Sequence, residues 1–155
     1  MSYLTQGRLL VKKRAGERQK RAWGERYIML RVLTVDDNRN FKKMLAELLR
    51  SRFSATVEDA APAHGDVIRK VETFSPLMIF ADMQTLGAAC FDLTVEIKRL
   101  HPDIRIVLLS SFDIKEYMDA AHACGADSCL LKNCSTPDDI IELVESMMSH
   151  PREGG

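Results

Sequence analysis

Leu77-Met78-Ile79-Phe80-Ala81-Asp82 is the stretch on which the fold turns. Its continuous apolar run is short, follows the helix-breaking pair Ser75-Pro76, and ends abruptly in a carboxylate. That pattern predicts a strand buried on both faces, Leu77 to Ala81, with Asp82 standing where the strand runs out. A second run, Val32-Leu33-Thr34-Val35, finishes the same way in Asp36-Asp37. Two strand ends that finish in aspartate predict one acidic pocket at one edge of a parallel sheet. Such a pocket repels itself unless a divalent cation fills it. Carboxylates and a cation together point to phosphoryl chemistry.

Outward from these two runs the chain alternates. Leu30 to Val35 forms the first predicted strand. Phe41, Met44, Leu45, Leu48 and Leu49 recur at i, i+3, i+4, i+7 and i+8, one face of an amphipathic helix. Phe53 to Val57 is short and more polar and predicts an edge strand. Val67, Val71 and Phe74 mark a helix stopped by Ser75-Pro76; Leu93, Ile97 and Leu100 mark another, closed by His101-Pro102. Ile104 to Leu109 is the fourth strand. Ile114, Tyr117, Met118 and Ala121 mark a helix ending at Gly125, a C′ residue. Ser128 to Leu131 is a short fifth strand. Thr136-Pro137-Asp138-Asp139 starts the last helix, with an N-cap Thr, Pro at the first turn and acids on the positive end of the dipole. Ile140, Ile141, Val144, Met147 and Met148 supply its apolar stripe.

Five strands alternating with five helices predict a parallel sheet covered on both faces by right-handed crossovers. In such sheets ligands bind at the carboxyl ends of the strands. The residues just beyond those ends are Asp36-Asp37, Asp82, Ser110-Ser111 and Lys132.

This set resembles the receiver domain of bacterial two-component response regulators, from about Leu30 to Met148. The family carries an acidic pair after strand one, a lone Asp after strand three, Ser or Thr after strand four and Lys after strand five. Here these are Asp36 and Asp37, Asp82, Ser110 and Lys132. Gly125-Ala126-Asp127 and Leu130-Leu131-Lys132 are also similar to family sequence, nearest the branch that often carries a helix-turn-helix output domain. The resemblance implies a flavodoxin-like (βα)5 doubly wound sheet of strand order 2-1-3-4-5. It implies a single receiver domain over 29–149, after a basic extension at 1–28 and before a tail at 150–155.

It also implies roles. Asp82 is the expected phosphoacceptor, its carboxylate attacking phosphorus to form an acyl phosphate. Mg2+ is the expected cofactor, held by Asp37, Asp82 and the Gln84 backbone carbonyl, with Asp36 nearby or acting through water. Lys132 is a compact cation for the phosphoryl oxygens, Ser110 a hydroxyl donor, and Ser111 a small residue that leaves room for the donor. Taken singly, these residues have plainer readings: Asp36-Asp37-Asn38 can cap a helix, and Lys132 can be a solvated surface charge.

The sequence departs from the family in several places. Thr85-Leu86 stands where Met-Pro is usual, Cys90 where a glycine is common, Cys129 where strand five usually has an aromatic, and Asn133 where Pro is frequent. The loop after Asp82 is therefore expected to differ in conformation, and an aromatic rotamer switch on strand five cannot operate.

The expected partners are a histidine kinase or phosphotransfer protein upstream and a protein target, or a second copy of the chain, at the surface of residues 113–148. Tyr117 and the Met147-Met148 end of the last helix are expected on or near that surface, with core packing the favoured reading of the two methionines. No membrane and no nucleic acid is expected to bind the receiver directly. Phosphorylation should add roughly −1.5 to −2 charges at Asp82 and draw Ser110 and its loop inward. The chain is read as a signalling domain with self-catalysed transfer and slow autodephosphorylation, not as an enzyme that turns over. The alternatives are a pseudo-receiver that never takes phosphate, or part of a longer DNA-binding regulator. An aspartyl phosphatase would want an acid where Gln84 stands, and a flavin carrier would want a phosphate loop where Asp36-Asp37-Asn38-Arg39 stands.

Composition is compatible with this reading. The 155 residues are 46% apolar, enough for one core. No apolar run approaches the ~20 residues of a membrane span, and no secretory signal is visible. A soluble cytoplasmic protein is expected. Cys90, Cys124, Cys129 and Cys134 lack zinc-site spacing and read as free thiols. The formal charge is zero, but residues 1–28 hold eight Lys/Arg and two Glu, leaving the remainder acidic. That leader reads as a basic arm for an anionic surface, as an extension without a role, or as a stretch upstream of translation starting at Met29.

Overall fold

The computed structural model describes residues 29–149. The basic extension at 1–28 and the tail at 150–155 lie outside the described residues. The elements are β1 (Leu30–Val35), α1 (Arg39–Arg52), β2 (Ala55–Asp59), α2 (His64–Phe74) and β3 (Met78–Asp82). They continue as α3 (Met83–Leu86), α4 (Ala89–Leu100), β4 (Arg105–Ser110), α5 (Lys115–Ala123), β5 (Ser128–Leu131) and α6 (Pro137–Ser149). The strands form one sheet in the order β2-β1-β3-β4-β5, every pair parallel.

The two-residue period of the strands divides the core between the two faces of the sheet. Leu30, Val32, Met78, Phe80, Val107 and Leu109 face one way and pack with Leu45 and Leu49 of α1 and with Ile140, Ile141, Val144 and Met148 of α6. Leu33, Val35, Ile79, Ala81, Ile106 and Leu108 face the other way, against Val67, Val71 and Phe74 of α2, Leu93 and Ile97 of α4 and Ala121 of α5. Every residue of β3 and β4 is buried, whereas β2 and β5 are mostly half-buried. This is why the central strands read as unbroken apolar runs and the edges do not. Each Leu, Ile, Val or Phe so buried contributes about 1.5–3 kcal/mol relative to exposure.

Local chemistry sets the ends of the helices. Asn38 caps α1 by accepting the Phe41 N–H at 3.0 Å. The cap is thus Asn38, not Asp36 or Asp37. Ser75, at φ 52°, ends α2 in the left-handed region just ahead of Pro76. Gly125 follows the cap of α5 at φ 91°, and Ala126 N–H returns to the Ala121 carbonyl. Thr136 and Asp139 exchange bonds at the start of α6, Thr136 N–H to the Asp139 carboxylate and Asp139 N–H to the Thr136 hydroxyl. The bond from the Thr136 backbone holds the Asp139 carboxyl below the usual carboxylate range.

One expectation is corrected. The edge strand is Ala55–Asp59, not Phe53–Val57. The Phe53 N–H still bonds the Leu49 carbonyl and its ring lies in the core, so pairing with β1 begins only at Leu30↔Ala55. Met147 and Met148 are 7% and 1% exposed and pack in the core, the plainer reading of that helix end, because the α6 stripe turns both under the sheet. Ile114 and Tyr117 are each 37% exposed, Tyr117 standing at the surface as expected, and among the described residues of α5 only Ala121 is buried. No helix of the described residues is long and apolar enough to cross a membrane.

Candidate functional site

Strand register brings the site together. Val35 pairs with Ala81, Asp82 with Leu109, and Ser110 with Leu131. Asp36, Asp82, Ser110 and Lys132 therefore emerge side by side at the carboxyl edge of adjacent strands, and Lys132 N–H bonds the Ser110 carbonyl at 2.8 Å.

Asp82 is 3% exposed and closes β3 while capping α3. Its Oδ1 lies 3.3 Å from Lys132 Nζ. Its Oδ2 accepts from the Thr85 N–H and the Thr85 hydroxyl, both at 2.8 Å. Lys132 Nζ also reaches Asp36 Oδ2 at 2.8 Å and sits 4.5 Å from the centre of the Phe41 ring. Asp36 is buried, and its other oxygen accepts the Asn38 N–H at 2.9 Å. Asp37 is exposed, and its Oδ1 accepts from the Thr85 hydroxyl at 3.0 Å.

The carboxylates of Asp36, Asp37 and Asp82 each offer an oxygen within 4.8 Å of the others. At such separations each like-charged pair costs roughly 3–4 kcal/mol at an effective dielectric of about 20. One ammonium cannot offset three carboxylates. The donor set, all oxygen and open on the Asp37 side, fits a hard divalent cation such as Mg2+.

Other expected site residues are arranged differently from the simplest reading. Ser110 is fully buried, but its hydroxyl donates to the Phe112 carbonyl at 2.7 Å and accepts the Phe112 N–H at 3.1 Å, so it is engaged within its own loop. Ser111 is partly exposed; its N–H donates to Gln84 Oε1 at 2.9 Å and its carbonyl accepts from Asn133 Nδ2 at 3.1 Å. Gln84 thus spans from α3 to the β4 end with its side chain, while its carbonyl belongs to the helical turn Met83–Leu86. That turn is the altered loop after Asp82. Two residues were not assigned from sequence. Thr85 bridges Asp37 and Asp82, and the only signal for it is its place three residues after a capping carboxylate. Phe41 lies on the apolar face of α1 by its spacing, and no sequence signal marks the contact of its ring with the Lys132 ammonium.

Cys90 stands at the edge of this site. Burial pushes its thiol up to about 12, with Cys124, the Asp82 carboxylate and Cys129 adding to the rise. Burial likewise raises Cys129. Both are neutral thiols at physiological pH.

Five parallel strands ordered 2-1-3-4-5 with acids at the carboxyl edge define a flavodoxin-like, CheY-like domain. A family model described as the response regulator receiver domain matches residues 32–145, and the chain belongs to that family. The response regulator VraR of Staphylococcus epidermidis is 28% identical over 109 residues, covering 70% of this chain and 52% of its own. The uncharacterized transcriptional regulatory protein YxjL of Bacillus subtilis is 25% identical over 117 residues, 76% of this chain and 53% of its own. The chain thus spans about half the length of the curated relatives it matches. Among solved structures, a LuxR family DNA-binding response regulator from Silicibacter pomeroyi superposes with a TM-score of 0.64 at 28% identity, over 76% of this chain and 90% of the other. A CheY-like receiver from Methanospirillum hungatei shares the fold, with a TM-score of 0.68 at 20% identity over 77% and 94%.

Proposed function

We propose that this receiver takes a phosphoryl group on Asp82 from a phosphohistidine of a histidine kinase or phosphotransfer protein. An Asp82 oxygen forms the new bond to phosphorus, the P–N bond breaks, and its electron pair stays with the imidazole. The observation that carries this reading is Lys132 Nζ at 3.3 Å from Asp82 and 2.8 Å from Asp36, beside an acid cluster suited to a cation. Asp37 and Asp82, with Asp36 behind them, would hold Mg2+, and the Gln84 carbonyl is the family's further ligand. Bound Mg2+ supplies positive charge next to the incoming phosphoryl oxygens. Lys132, its ammonium 3.3 Å from Asp82, would add a second positive charge. Ser110 reaches the phosphoryl group only by giving up its two bonds to Phe112, and this release couples the acceptor to the loop that leads into α5. The output is a shift of the surface over residues 113–148, where Ile114 and Tyr117 are exposed beside Phe112, read by a protein target, a second copy, or a DNA-binding domain elsewhere in a longer chain.

The test is labelling by acetyl phosphate with Mg2+, followed by intact mass. Wild type gains one phosphoryl group and Asp82→Asn gains none; undiminished labelling of the variant moves the acceptor elsewhere. A phosphorylation-independent interaction module is the second reading, and the Thr85 bridge across Asp37 and Asp82 is the observation that favours it.

A further inference from the structure

Thr85 stands where the receiver family usually has methionine, and its hydroxyl lies between Asp37 and Asp82, two of the three acids. Thr85 Oγ1 is 2.8 Å from Asp82 Oδ2 and 3.0 Å from Asp37 Oδ1, and it accepts the Asp37 N–H at 3.3 Å. Its own N–H donates to the same Asp82 oxygen. One hydroxyl proton faces two carboxylates, and Asp82 Oδ1 is already turned to Lys132. Both oxygens of Asp82 are therefore engaged before any ligand arrives. The carboxylates that Thr85 bridges are two of the three able to hold a cation.

We propose that the Thr85 hydroxyl is an internal competitor for the cation site, a latch that closes the acid cluster and lowers its affinity for Mg2+. The inference rests on the reading that this cluster binds a divalent cation. It assigns to Thr85 a role that no apolar side chain of similar shape can take. A hydroxyl donating to carboxylates relieves part of their repulsion, which is the same relief a cation gives. The two cannot both occupy those oxygen lone pairs in full. Mg2+ that takes Asp82 Oδ2 or Asp37 Oδ1 displaces a Thr85 contact, and the site fills at a higher concentration than the carboxylates alone would require. Thr85 lies at the partly exposed end of a four-residue helix followed by Gly87 at φ 64°, so its side chain can turn away without disturbing the core.

The experiment is a calorimetric Mg2+ titration of the full chain at constant ionic strength, comparing wild type with Thr85→Val and Thr85→Ser. Valine keeps the shape and removes the donor; serine keeps the donor. Thr85→Val should bind Mg2+ about three- to tenfold more tightly, the equivalent of one net hydrogen bond, and Thr85→Ser should bind like wild type. Thr85→Ala provides the same comparison if valine packs poorly against Leu86. Equal affinities in wild type and the donor-less variants, or weaker binding in the variants, overturn the latch while leaving the cation site intact. Mg2+ binding by none of the proteins overturns both the latch and the reading beneath it.

Discussion

Lys132 Nζ lies 2.8 Å from Asp36 Oδ2 although the two residues are 96 positions apart in the chain. The side chains are 9% and 1% exposed, so the pair is desolvated, and Asp82 shares the same ammonium. Removing one partner of a buried pair strands the other charge. Lys132→Ala should therefore lose about 3–5 kcal/mol in urea unfolding without metal. The loss should shrink when Mg2+ is added, because the cation restores positive charge beside the same carboxylates. A variant equally damaged with and without Mg2+ would separate the lysine from the cation site.

Asp37 gives a cleaner view of the cation. It is exposed, but its charge faces Asp36 and Asp82, so Asp37→Asn should raise metal-free stability by relieving their repulsion. Wild type at a Mg2+ concentration ten times its Kd should gain about 1.4 kcal/mol from binding alone. At that same concentration Asp37→Asn should gain much less. Thermal unfolding with and without Mg2+ reads both quantities.

The far end of the sheet carries a separate buried ion cluster. Asp127 meets Lys98 at 2.8 Å, Arg105 at 3.2 Å and the Ile106 N–H at 2.8 Å, with all three charged side chains at most 11% exposed. Asp127→Ala leaves two cations crowded together and should cost about 3 kcal/mol or more. The cluster sits at the amino ends of β4 and β5, opposite the acid pocket. Labelling by acetyl phosphate per folded molecule should stay at the wild-type level, whereas a proportional loss of labelling would tie the two ends of the sheet together.

Cys90 makes an alkaline prediction. Its folded pKa of about 12 lies above the ordinary 9.0, so its contribution to stability is intact below pH 9 and is lost as pH rises toward 12. Wild type should lose more stability between pH 8 and 11 than Cys90→Ala does. At pH 8, iodoacetamide should modify exposed Cys134 promptly and leave Cys90 untouched in the native state. Rapid native-state alkylation of Cys90 would contradict its burial.

Much of this architecture was legible because it follows from short-range periodicity. Met78 to Ala81 reads as a central strand since both of its faces are covered, and the stripe from Ile140 to Met148 reads as a helix since one face is. Phe53 misled for a local reason: an aromatic next to a polar run has strand character, yet its ring is needed beneath α1 and its N–H still closes a helical turn. Tyr117 and Ile114 mark a helix by their spacing yet stay partly exposed, because α5 sits at the margin of the sheet, beside edge strand β5, and little core remains there to receive them.

The site shows the same division. Asp36, Asp37, Asp82, Ser110 and Lys132 were recognisable because strand ends are visible in a sequence and a parallel sheet brings such ends to one edge. The chain by itself thus determined which strand ends share one edge. Only the folded molecule decided how they meet: Lys132 shared between Asp36 and Asp82, Ser110 turned to Phe112, and Thr85 laid across two carboxylates. The reason is physical. Strand and helix periods are properties of the backbone within a few residues, whereas a side chain's partner depends on which donors and acceptors the register of distant strands brings within 3 Å or so.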